Sequence, residues 1–213
     1  MPVIDLSHTI KNGMPVFPGT ETPTIEEVFS HEMHGFCEHR LNIFSHIGTH
    51  IDAPNHMIPG GETLDKMDVS RFIGPGMCID CTHKNPKSPQ INIDDLIPYE
   101  AEISECDFIL LNTGWYTNWG MDKYFTHYPA LNEEAARWLV DFDLKGVGVD
   151  VISIDSAEIS GYGVHNILLE QGTIIIENLN NLHQLPEEGF IFSCLPLKFN
   201  NADGSPVRAI ATY

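Results

Sequence analysis

Short apolar runs rich in Val, Ile and Phe recur along this chain between Gly and Pro punctuation, the pattern of strands. The clearest cover residues 3–6, 25–29, 41–45, 77–81, 108–112, 146–152, 173–176, 190–195 and 207–211. Helical period shows in two places. Asn132 can cap the first helix, with Glu133 and Glu134 in its opening turn and AARWLVDF behind them, which satisfies free amides and complements the helix dipole. The second runs over about 164–171 and stops at Gly172, a usual place for a left-handed terminating residue. A weaker third begins near Asp94. Strands outnumber helices and do not alternate strictly with them. That order predicts an α+β fold, a single domain over residues 1–213 with a mixed, partly barrel-like sheet flanked by helices.

Composition narrows the class. At 213 residues, 42% hydrophobic and 19% charged, the chain reads as one soluble globular domain with a sizeable core. Its 30 acidic and 11 basic residues leave a net charge of −19. Such a surface repels nucleic acid and anionic membranes, which argues against both as partners. The opening MPVIDLSHTI lacks the basic start and apolar run of a signal peptide, and no apolar run is long enough to span a bilayer. Five cysteines, an odd number, argue against a disulfide framework and for a reducing cytoplasm.

The stretch HIGTHIDAPNH at 46–56 carries the chemistry. His46, Gly48, His50 and Asp52 fall on even positions, so on an extended chain they project to one face. Glycine there would leave room for an ion or a substrate. Two imidazoles and a carboxylate suit Zn²⁺ or another divalent transition metal. His46 and His50 also stand four apart, as in helical HExxH sites, but the intervening Ile-Gly-Thr favours helix poorly and Pro54 follows. A strand end running into a loop is the better reading. His56, beyond Pro54, is open to two roles: a fourth ligand, or a general acid–base.

The pattern H-x-G-T-H-x-D-x-P-x-H resembles the signature of the cyclase-type metal-dependent hydrolases, the family of bacterial kynurenine formamidase and isatin hydrolase. The likeness continues through DLSHTIKNGMPVFPG, LLNTGW, EEAARWLV, GVDVISID and LPLKFNNADGSPVRAI, nearly the whole chain. It implies a swivelling β/β/α fold and a metal site of His46, His50 and Asp52, with Asp52 bridging where two ions are held. It further implies that His165 and Glu177 complete the ligands, that His56 is the acid–base, and that subunits pair as homodimers or higher homo-oligomers. The expected cofactor is Zn²⁺, with Mn²⁺ as alternative, one or two ions per subunit. The expected reaction is cleavage of a small carboxamide, an aryl formamide or a cyclic amide, by metal-activated water. The same centre also suits a lactone hydrolase, a cyclase or a non-catalytic binding protein. One departure bears on substrate: formamidases of this kind carry Trp in a V-W-P-G segment where this chain has Val16-Phe17-Pro18-Gly19. Phe17 keeps the aromatic face and loses the indole N–H.

Other motifs fail on inspection. Cys78 and Cys81 form a lone C-x-x-C in a strand-like run, where positions three apart face opposite sides. Gly146 and Gly148 lack the third glycine of a dinucleotide fingerprint. His31, His34 and His39 fall in a polar, exposed segment.

Overall fold

The computed structural model describes residues 2–84, 87 and 89–213. Its strands are β1 Val3–Asp5, β2 Thr24–Phe29, β3 Glu38–Asn42, β4 His50–Asp52, β5 Ile73–Asp80, β6 Gln90–Ile91, β7 Phe108–Asn112, β8 Ala130–Leu131, β9 Gly146–Val149, β10 Ile174–Glu177, β11 Phe190–Ser193, β12 Gly204–Pro206 and β13 Ile210–Thr212. Short helices α1 His31–His34, α2 Ile93–Leu96, α3 Glu100–Ile103, α4 Glu133–Leu139 and α5 Gly163–Glu170 lie between them. One nine-stranded sheet runs in the order β1-β13-β11-β5-β7-β9-β10-β4-β12. The four central strands β5, β7, β9 and β10 are parallel, and antiparallel strands flank them on both sides.

Connectivity forces this sheet to curl. β12 ends the sheet at one edge, while β13 lies second from the other. Laid flat, strands that far apart in the order would sit about 34 Å from one another. Only residues 207–209 join β12 to β13, a link that reaches about 13 Å at full extension. The sheet therefore bends into a half-barrel. Hydrogen bonds close the gap, from the Leu6 amide to the Ala209 carbonyl, the Asn180 amide to the Leu6 carbonyl and the Val207 amide to the Thr49 carbonyl.

Both faces of the central strands are buried, which is why they read as continuous apolar runs. Phe108, Leu110, Ile174 and Ile176 point into the barrel with Leu6, Phe190 and Phe192. Ile109, Leu111 and Ile175, one residue out of phase, point outward under α4 and α5, against Leu139, Leu168 and Leu169. Each such side chain contributes about 1.5–3 kcal/mol on burial. Cys78 belongs to the inner cluster and Cys81 to the outer one.

The helices follow their signals closely. Asn132 caps α4 by accepting from the Ala135 amide, Asn92 and Asp95 form a capping box on α2, and Gly172 turns left-handed (φ 79°) just past α5. The strand expected over 41–45 lies instead at Glu38–Asn42, paired with β2 in a ribbon outside the main sheet. Its apolar residues do not mark a core: Leu41 and Phe44 are 54% and 52% exposed. The run at 207–211 marks only β13, while β4 and β12, three residues each, are too short to show a period.

Candidate metal centre

Strand pairing brings the two halves of the centre together. β4 lies antiparallel to β10 with His50 directly opposite Glu177, and in β4 the alternation of side chains sends His50 and Asp52 to the same face. His50, Asp52, Glu177 and His165 are all buried, at 5% exposure or less. Asp52 is the hub. Its Oδ1 lies 2.6 Å from His46 Nδ1 and 3.3 Å from His50 Nε2, and its Oδ2 lies 3.5 Å from His165 Nε2. Glu177 closes the ring, 3.3 Å from His165 Nε2 and 3.5 Å from His50 Nε2.

Each imidazole turns one nitrogen inward and anchors the other. His50 Nδ1 donates to the Gly48 carbonyl at 2.8 Å, His165 Nδ1 to Asp155 at 2.6 Å and His46 Nε2 to Asp203 at 2.9 Å. Metal-binding histidines are oriented in this way, the outer hydrogen bond fixing the tautomer and the ring direction. Asp155 also accepts from the Val164 and His165 amides, so it caps α5 while aiming the imidazole in that helix's first turn. The Ile154 amide holds Glu177 Oε1 at 2.8 Å.

His46 arrives by a different route from the one its even numbering predicts. It precedes β4, and Gly48 (φ +60°) breaks the extended chain between them. Nor does Gly48 leave room for a ligand: a Cβ there would lie 3.1 Å from Met14 and 3.6 Å from Ile10. The glycine that makes space is Gly204 in β12, where a Cβ would lie 2.3 Å from the His46 ring. His56 sits in the turn Pro54–His56 with its ring 3.8 Å from that of His46 and 6.0 Å from that of His165. Ligand atoms of His46, Asp52 and His56 form one compact group and those of His50, Asp52 and Glu177 another. Asp52 is common to both.

Electrostatics show what the cluster lacks. Burial disfavours charge on His46, yet Asp52 and Asp203 outweigh it and raise its pKa to about 9. Burial likewise opposes charge on His165, and Asp155, Asp52 and Glu177 overcome it. Asp52 titrates well below the usual carboxylate range, burial notwithstanding, because His46 and His50 face it. His56 goes the other way, its pKa lowered chiefly by burial. Among the described residues no Lys or Arg pairs with Asp52 or Glu177, and Asp52 Oδ2 is buried without a hydrogen-bond partner. Buried carboxylates that draw protons onto histidines, and an orphaned oxygen among inward-facing nitrogens, fit a divalent cation.

The sequence pattern of the putative cyclase family matches residues 4–156. This chain belongs to the cyclase family. The kynurenine formamidase of Paracidovorax citrulli is 30% identical over 97% of this chain and 94% of its own. Isatin hydrolase A from Labrenzia aggregata, solved with benzyl benzoate, superposes with a TM-score of 0.88 at 27% identity, over 99% of this chain and 93% of that one. A potential metal-dependent hydrolase with cyclase activity gives 0.82 at 32% identity, over 99% and 96%. As a cyclase-family member the protein is an enzyme, a metal-dependent amidohydrolase that acts on non-peptide C–N bonds.

In this cyclase-family chain the centre forms the floor of a cavity of about 320 Å³. Phe17, Phe44 and Tyr162 stand at its mouth, 40%, 52% and 48% exposed. Every site residue expected from sequence, His46, His50, Asp52, His56, His165, Glu177 and Phe17, lines this one cavity. Asp155 and Asp203 were not expected. Asp203 stands in an Asn-Ala-Asp-Gly stretch that reads as an ordinary turn, 157 residues from the histidine it holds. Asp155, ten residues before His165, is legible only to a reader who already knows that α5 folds back on the segment before it. His31 and His34 are exposed on α1.

Proposed function

We propose that this enzyme hydrolyses a small aryl carboxamide, and that among such substrates it prefers an uncharged cyclic amide to an aryl formamide such as N-formylkynurenine. The observation that carries the reading is the convergence of three imidazoles and two carboxylates on the floor of a cavity with an aromatic mouth. His46, His50, Asp52, His165 and Glu177 would hold one or two ions, Zn²⁺ in the first place and Mn²⁺ as alternative. A bound ion of this kind supplies Lewis acidity and a nucleophile from water at neutral pH.

The protein's own side chains do the rest. Phe17, Phe44 and Tyr162 flank a flat aromatic ring at the mouth and leave its carbonyl directed at the floor. His56 delivers a proton to the departing nitrogen, which cannot leave as an amide anion. Burial lowers its pKa, so it starts neutral, accepts that proton from the attacking water and then releases it. Among the described residues no Lys or Arg lines the cavity, so the carboxylate of an amino-acid substrate finds no cation there. That favours the cyclic amide.

Five unpaired cysteines support a cytoplasmic setting, and among the described residues no helix is long and apolar enough to cross a membrane. The net charge of −19 speaks against nucleic acid as a partner. Met33 and Phe36 in the connection between β2 and β3, with Leu41 of β3, are exposed apolar residues that support a homodimer. The test of function is turnover of isatin, N-formylkynurenine and an aryl lactone by metal-loaded and chelator-stripped protein. Chelator-sensitive ring opening of isatin, faster than deformylation, is expected. Turnover of the lactone alone would move the reading to C–O bonds, and no turnover by protein holding its metal would overturn it.

A further inference from the structure

A second set of metal-binding side chains lies outside the cavity. β2 and β3 pair with Glu27 directly opposite His39, and a bulge follows between Glu27 and Phe29. Beyond β2 the chain makes the single turn α1, reverses at Gly35 (φ 80°) and returns through Phe36 and Cys37. Phe29 packs against His34 and Phe36, with ring centroids 5.0 and 5.2 Å apart, which pins the reversal. Cys37 stands two residues before His39, so both side chains project to one face, and Glu27 joins them from across the ladder. Glu26 and Arg40, one step out of phase, form an ion pair at 3.4 Å.

We propose that Glu27, Cys37 and His39 form a second metal site, for a thiophilic divalent cation such as Zn²⁺. Cys37 Sγ lies 3.7 Å from Glu27 Oε2 and 3.8 Å from His39 Nδ1. In a tetrahedral site with metal–sulfur and metal–nitrogen bonds of about 2.3 and 2.1 Å, neighbouring ligand atoms stand about 3.6 Å apart. Both sulfur spacings thus match what one ion needs, and all three ligand atoms lie within 4.8 Å of one another, with a fourth position left to water. Thiolate and imidazole select zinc over magnesium, manganese or calcium. On binding, the Cys37 S–H bond breaks and a sulfur–metal bond forms. The proton goes to solvent, His39 offers the lone pair of its neutral ring, and no electron is transferred. β3 runs directly into Phe44 and His46, so an ion here clips together the ribbon that leads the chain into the cavity.

Sulfur separates this site from the first, whose ligands are all nitrogen and oxygen. Cys78, Cys81 and Cys194 are buried and Cys106 half-buried, which leaves Cys37 as the exposed thiol. The experiment is a Co²⁺ titration of the full-length, metal-stripped protein, read in the near ultraviolet for thiolate-to-cobalt charge transfer. The band is expected to saturate at one thiolate-bound cobalt per chain, in addition to the one or two ions the first centre takes, with release of one proton from Cys37. It should vanish in Cys37→Ser and persist in His50→Ala. Loss of a ligand costs more than loss of an outer partner, so Glu27→Gln and His39→Gln should each weaken Co²⁺ binding at this site more than about tenfold. Cys37→Ser is an exposed, conservative change, and its amidohydrolase activity should be unaltered. Absence of the band, or its survival in Cys37→Ser, overturns the proposal. So does one cobalt per two chains with loss of the band on dilution, which means a bridge between copies.

Discussion

Replacing Asp203 by Asn tests whether carboxylates behind the histidines set metal affinity. His46 turns Nδ1 toward Asp52 and donates Nε2–H to Asp203 at 2.9 Å. An asparagine keeps an amide oxygen for that bond and for the turn, but removes the charge. Charge-assisted hydrogen bonds are worth about 1.5–3 kcal/mol against about 0.5–1.5 for neutral ones, and loss of an outer partner costs about 10–100-fold in metal affinity. The Asp203 side chain is 40% exposed, so water screens it, whereas that of Asp155 is 13% exposed and only 2.6 Å from His165. Asp203→Asn should therefore fall near the weak end, about tenfold or about 1.4 kcal/mol, and Asp155→Asn near the strong end, about 100-fold. Asp155 also caps α5, and losing that cap costs about 1 kcal/mol of stability, so the Asp203 variant gives the cleaner reading. The assay is competition for Zn²⁺ against a chromogenic chelator, with circular dichroism as the check on folding. Unchanged affinity in both variants, or a larger loss at Asp203 than at Asp155, would refute the reasoning.

Replacing His56 by Ala should leave metal content intact and lower kcat by about 10²–10⁴-fold; metal loss alongside activity would make it a ligand instead. Phe17→Ala should raise KM about five-fold with little change in kcat, the loss of one aromatic contact worth about 1 kcal/mol, and an unchanged KM would remove Phe17 from the substrate site. Asp150 is fully buried, and burial pushes its carboxyl up from 3.8 to about 6 against the hydrogen bonds from Thr113. The folded state thus holds that proton more tightly than the unfolded chain. Its contribution, about 3 kcal/mol, is complete below about pH 4 and lost as pH rises through about 6. Asp150→Asn should flatten the pH dependence of chemical denaturation across that window and stabilise the protein at pH 7.5; an unaltered slope would contradict it. Metal at about 1,000 times its Kd should add about 4 kcal/mol of stability, hence about 8–16 °C in Tm for a chain of this length, and calorimetry with and without chelator would show it.

How much of this was legible in the chain depended on the range of the interactions. Local signals were reliable: Asn132 and Gly172 bound their helices as expected, and Phe108–Asn112 is a strand from end to end. His50 and Asp52 were placed on one face by strand alternation, and they are. His46 reached the same centre although the argument for it failed at Gly48, whose positive φ no period can reveal. The resemblance to a known family supplied His165 and Glu177. Spacing did not, because their approach depends on β10 lying beside β4, a pairing between residues more than a hundred apart.

That dependence shows how far the complete centre relies on the fold of the whole sheet. Its residues and their anchors span positions 46 to 203, and Gly204, which makes room for the His46 ring, belongs to the edge strand that pairs with β4. β12 can reach that edge while β13 holds the other side only because the sheet is bent into a half-barrel. Closure of the barrel therefore sets both the stability of the inner core and the distance between His46 and Asp203. An ion that engages His165 and Glu177 together with the 46–56 segment would depend on β10 lying beside β4, so its affinity and the folding free energy draw on the same contacts.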